Sequence, residues 1–182
     1  MPARAGMIGA GFTTGERAMR LLLAIDGSVH ALQAVRWALG LAAQGLPCEY
    51  VLVNVQAPAS LYEVMTAHDA ERIDEVRRAA GADLLREAEA MVEAAGQRFE
   101  SEVAGGAPEN LIVELAENYR CDHIVIGARG IGDTDAAGLG RVALAVLAGA
   151  SMPVTVVRRE EGDEARSEDG AGEGGEAQAG AT

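Results

Sequence analysis

Arg20-Leu-Leu-Leu-Ala-Ile-Asp-Gly-Ser28 carries the strongest structural signal in the chain. From Leu21 to Ile25 it is continuously apolar, consistent with a strand buried on both faces. Asp26-Gly27-Ser28 then breaks the run, and Ser28 stands where a helix N-cap belongs. From Val29 to Gln44 the apolar residues Ala31, Ala34, Val35, Ala38, Leu39 and Ala42 fall at helical spacing. Gly45-Leu-Pro47 ends that helix.

The alternation repeats along the chain. Residues 49–55 read as a second strand, closed by Pro58. A loop over 60–68 leads to a long helix over 70–95, rich in Ala, Glu and Arg, which Gly81 is expected to kink or interrupt. Residues 98–104 form a shorter, more polar strand, expected at a sheet edge. Gly105-Gly-Ala-Pro108 is a turn, with Pro108 opening a helix that ends near Tyr119. A fourth strand covers 122–127, a glycine-rich loop 127–140, a last helix 141–149, and Pro153-Val-Thr-Val-Val157 is the fifth strand. This order predicts an α/β fold: an open five-stranded parallel sheet with helices on both faces.

Composition sets the limits. The 182 residues fit one domain over 19–159, with a loose segment over 1–18 and a tail over 160–182. With 49% hydrophobic but only 3% aromatic residues, the core must be aliphatic. The formal charge of −13 is uneven, since the tail holds eight carboxylates against Arg166, a net −7. That tail is Gly, Ala and Glu with almost nothing apolar, so disorder is expected. Nowhere is there the basic stripe of a nucleic-acid binder. There is no lysine, which excludes a G-x-x-x-x-G-K-[ST] phosphate loop. Cys48 and Cys121 lack C-x-x-C spacing and read as buried thiols in a reducing compartment. No segment has the ~20 apolar residues of a membrane helix. The expected location is the cytoplasm, with neither nucleic acid nor membrane as a partner.

Two segments make the reading specific. Leu21-Leu-Leu-Ala-Ile-Asp-Gly-Ser28, with Ala34-Val-Arg-Trp-Ala38 in the helix after it, resembles the opening strand and first helix of the universal stress protein family. Gly127-Ala-Arg-Gly130, separated from Gly140 by nine residues, resembles that family's G-x2-G-x9-G nucleotide loop, and Pro153-Val-Thr-Val-Val-Arg158 closes the domain as in the family. The resemblance covers residues 20–158. It implies a Rossmann-like sheet in the order 3-2-1-4-5, ATP binding, a role in stress response, and a homodimer paired through the edge strand Pro153-Val-Thr-Val-Val157. In such a sheet ligands sit beyond the carboxyl ends of the strands where the order reverses. That crevice would lie between Asp26 and Gly127.

The resemblance also implies site residues. Ala24 and Val55, with Ile126 beside them, would line an adenine pocket, although plain core packing accounts for them equally. Asp26 would contact the nucleotide or order a metal, or it is a turn residue bonded to nearby amides. The backbone of Gly127, Gly130 and Gly140, with Arg129, Arg141 and Val142, would surround the phosphates at a helix N-terminus. The chain departs from the family at Arg141 and Ala143, which replace hydroxyls that contact phosphate, and at Asp133 and Asp135 inside the loop. Arg141 either compensates as a phosphate ligand, fills the site or faces solvent. Asp26, Asp133 and Asp135 are candidate Mg²⁺ ligands, tuning or weakening ATP binding. His30, His68 and His123 lack metal-site spacing, and His123 reads as a packed or edge histidine. Three functions follow: an ATP-binding regulatory module, a dimeric protein-interaction module that has lost the nucleotide, and a slow ATP hydrolase.

Overall fold

In the computed structural model, which describes residues 17–57, 70–131 and 138–158, strands and helices alternate as the apolar pattern predicts. The strands are β1 (Met19–Ala24), β2 (Cys48–Gln56), β3 (Phe99–Gly105), β4 (His123–Gly127) and β5 (Val154–Val157). Between them, among the described residues, lie α1 (Val29–Ala43), α2 (Ala70–Ala94), α3 (Pro108–Asn118) and α4 (Arg141–Gly149). Pro153 falls just outside β5, and its carbonyl accepts from Ile124 at 3.0 Å. All strands pair in parallel, in the order β3-β2-β1-β4-β5. No described helix is long and apolar enough to cross a membrane.

The unbroken apolar character of β1 follows from its place. It pairs with β2 on one side and β4 on the other, and helices cover both its faces. Leu21 and Leu23 pack with α1 and α2 in one core layer, and Leu22 packs with α3 and α4 in the other. All three are 0–1% exposed. Each such side chain contributes about 1.5–3 kcal/mol over an exposed one. Ser28 caps α1 as expected, its Oγ accepting from the Ala31 amide at 3.2 Å.

One expectation is corrected. Gly81 does not interrupt α2, whose 25 residues run through it as one helix. Its role is close approach to the sheet. A Cβ at position 81 would lie 2.5 Å from Val103 Cγ1 and 2.7 Å from Asn54 Oδ1. Neither neighbour yields easily. Val103 is β-branched, and Asn54 is 2% exposed and held from both ends of its amide. Its Nδ2 donates to the Ile25 carbonyl at 2.7 Å and its Oδ1 accepts from Gln56 Nε2 at 2.6 Å.

The expected disorder of 1–18 and 160–182, and the loop over 60–68, fall outside the described residues, except for Arg17 and Ala18 at the start of the described chain. Gly81→Val should destabilise the domain by about 2 kcal/mol through overpacking, seen as a lower urea midpoint. An unchanged midpoint would show that α2 can lift off β2 and β3 without loss.

Candidate functional site

β1 and β4 are adjacent, but the chain leaves them toward opposite faces of the sheet, into α1 and α4. The crevice between their carboxyl ends is the place where this kind of sheet leaves room for a ligand. Asp26 stands at its edge. Its Oδ1 accepts from the Ser28 amide at 2.9 Å, closing the turn into α1. Its Oδ2 accepts from the Ile131 amide at 2.8 Å, across the crevice. The carboxylate therefore does what a turn aspartate does, and it also ties the β1–α1 turn to the loop after β4.

That loop is fixed at both described ends. The Ala128 amide donates to the Val157 carbonyl at 2.7 Å, and the Gly140 amide donates to the Ala128 carbonyl at 2.8 Å. The Ser28 hydroxyl lies 3.4 Å from the Arg129 carbonyl, and Arg129 Nε lies 3.4 Å from the Gly138 carbonyl. Gly127 has a packing reason as well. A Cβ there would meet the His30 carbonyl carbon at 2.7 Å and the Ala31 nitrogen at 2.9 Å, backbone atoms of α1. Asp133 and Asp135 lie outside the described residues.

A cavity of about 260 Å³ opens here. All ten residues expected to bind the cofactor line it: Ala24, Asp26, Val55, Ile126, Gly127, Arg129, Gly130, Gly140, Arg141 and Val142. Its wall is apolar, and Ala24, Val55 and Val142 also pack against the α3–α4 core layer, so lining and packing coexist. The cavity continues into an open groove along Gly138, Leu139, Leu144 and Ala145, with Arg129 and Arg141 shared between the two. α4 begins at this junction. Gly140, its N-cap, supplies no side-chain hydrogen bond, in contrast to Ser28 on α1. The helix thus presents its positive end to the cavity, favouring an anion there.

Among the contributors beyond the sequence reading are three residues of α3. Pro108 and Ile112 of α3 form part of the wall. Glu109, between them, binds Arg141, whose Nη1 donates to Glu109 Oε1 at 2.9 Å. Arg141 is 74% exposed in its side chain and points to Glu109, so it neither fills the cavity nor faces solvent alone. The Gly105–Pro108 turn was the one available signal, and it indicates a turn without naming its neighbours.

The other candidates stay apart from the cavity. His123 shares a 2.7 Å hydrogen bond with Thr155 Oγ1 on β5, and burial lowers its pKa. Cys48 and Cys121 are buried free thiols. Burial pushes Cys121 up to about 11 and raises Cys48, so both stay protonated and poorly nucleophilic near neutral pH. Among the described residues no three of His, Cys, Asp and Glu come together as a metal site.

Fold and cavity define a class: a parallel α/β domain with an apolar crevice at the reversal of its strand order, ending on the N-terminus of a helix. A model of the universal stress protein family matches residues 18–158. The chain belongs to that family. It is 29% identical over 140 residues to a universal stress protein of Methanocaldococcus jannaschii, covering 77% of this chain and 82% of that protein. It is also similar to a universal stress protein solved in complex with cAMP, at 27% identity and a TM-score of 0.54, covering 76% of this chain and 95% of that one. An Arabidopsis thaliana family member solved with AMP bound has a TM-score of 0.57 at 19% identity, over 79% of this chain and 93% of the plant chain.

Asp26→Ala should free the Ile131 amide while leaving the sheet intact. We expect hydrogen exchange at that amide to speed by about ten-fold, the worth of one net hydrogen bond, with core amides of β1 unchanged. Equal protection in both proteins would mean the loop is held without Asp26.

Proposed function

We propose that this protein binds an adenine nucleotide in the crevice between β1 and β4 and acts as a regulatory module of a stress response. The observation that carries the reading is the form of the cavity. A mostly apolar slot suited to a base shares Arg129, Gly140 and Arg141 with a groove at the N-terminus of α4, whose N-cap glycine gives no side-chain hydrogen bond. At about 260 Å³ the slot is near the lower end, roughly 300 Å³, of small-molecule pockets. It suits a base and part of a ribose, with the phosphates in the groove. The cAMP complex of the relative supports an adenine ligand, and the resemblance of the glycine loop points to ATP within that class. Magnesium, if used with ATP, would find Asp26 already accepting two amides.

A second reading has its own support. The Arg141–Glu109 pair holds a cation that would otherwise meet phosphate, as suits a dimeric interaction module without nucleotide. Pairing of two chains through β5 belongs to both readings. The far edge strand, β3, carries Glu100 and Glu102, whereas β5 carries no charge. Pro153 and Val157 turn their carbonyls to β4, so by alternation the backbone groups of Val154 and Val156 face the open edge. Location in the cytoplasm, where thiols stay reduced, fits the two free cysteines.

Calorimetric titration of ligand-stripped protein with ATP, ADP and AMP, with and without Mg²⁺, separates the readings. Saturable binding that is lost in Gly130→Val is expected. Absence of binding at millimolar nucleotide by a folded protein would favour the interaction module. Light scattering should give twice the chain mass, and Val154→Pro, which removes an outward amide at the first strand position, should give a folded monomer.

A further inference from the structure

Arg141 is the first residue of α4, borders both the cavity and the groove, and stands where the family's phosphate-contacting hydroxyl is absent. Its charge is already engaged. Glu109, in the first turn of α3, accepts from Arg141 Nη1 at 2.9 Å. The amino end of α3 carries positive potential, a second reason for an acidic residue in that first turn. Glu109 is also held in place. Its side chain is 29% exposed, yet Oε2 is buried without a hydrogen-bond partner among the described residues. A phosphate that drew Arg141 away would leave this carboxylate partly buried with neither oxygen paired, which is costly for a charge.

An incoming phosphate thus meets a guanidinium whose charge is balanced, with a carboxylate directly behind it. A guanidinium has five donors, so Arg141 can keep Glu109 and still bond one phosphate oxygen. It cannot balance further negative charge. Each additional ionised phosphate adds repulsion from Glu109 without added attraction from Arg141; solvent around the exposed arginine screens each increment, but the increments sum along a triphosphate.

We propose that Glu109 is a specificity-determining residue which, by holding Arg141, disfavours di- and triphosphate chains and selects an adenine nucleotide bearing one singly charged phosphodiester, such as a cyclic monophosphate. This rests on the adenine-nucleotide reading of the same cavity, and in place of the ATP that the glycine-loop resemblance implies it puts a ligand of lower charge. Glu109 acts through Arg141, so substituting it should change the ranking of ligands more than the binding of the nucleoside they share.

The test is titration calorimetry of the full chain and of Glu109→Gln with adenosine, cyclic AMP, AMP, ADP and ATP, at fixed ionic strength without Mg²⁺. For the native protein, affinity should not rise from cyclic AMP to ATP. Glu109→Gln should tighten ATP by about ten-fold or more and cyclic AMP by less than about three-fold, with adenosine unchanged. If the variant changes all five ligands alike, or none of them, the selection role is overturned while the nucleotide site stands. If neither protein binds any ligand, adenosine included, the nucleotide reading itself falls and this inference with it. Glu109→Ala, carried through the same series, decides the matter if thermal melting shows the glutamine variant misfolded.

Discussion

Everything in this domain is arranged around the burial of β1. It is the central strand of the five, with a neighbour on each side and a helical layer on each face, and it carries no polar side chain from Leu21 to Leu23. The chain runs outward from β1 to β2 and β3, then crosses back to β4 and on to β5, and right-handed crossovers in opposite directions put their helices on opposite faces. A gap opens where they diverge. The cavity is therefore a consequence of strand order, and the side chains around it only shape what the topology has already made.

The Asp26 carboxylate joins the two sides of that gap by holding the Ile131 amide, while the Ala128 carbonyl accepts from Gly140 within the loop after β4. Asn54 supports the arrangement from below by fixing the Ile25 carbonyl, one residue before Asp26. Gly81 lets α2 lie close enough to keep Asn54 buried. A contact in the core and a contact at the site thus belong to one chain of constraints, running from α2 through β2 to the turn after β1.

Much of this was legible in the sequence. The pattern locates all five strands within a residue, four of them as apolar runs and β3 as a more polar strand at the sheet edge. The ten positions carried over from the family resemblance all fall among the seventeen that line the cavity, because strand order brings strand ends together. What local pattern does not encode is contact between distant helices. Glu109 reads as an ordinary acidic residue in a first helical turn, and only the approach of α3 to α4 makes it the partner of Arg141, thirty-two positions later. Gly81 was misread for a related reason. Glycine inside a helix serves either a bend or a close neighbour, and only Val103 and Asn54 reveal which.

The sheet has two unlike ends. At β3, Glu100 is paired with Arg20 and Glu102 accepts the Tyr119 hydroxyl at 2.9 Å, so that border is acidic and occupied. At β5 the border is short and uncharged. A sheet that was adhesive at both borders could add copies without limit, since each new arrival would expose a fresh border. In the proposed pairing through β5, two copies would use the same surface on both, leave the two glutamate-bearing β3 strands outward and so close the assembly, a finite particle in place of a filament.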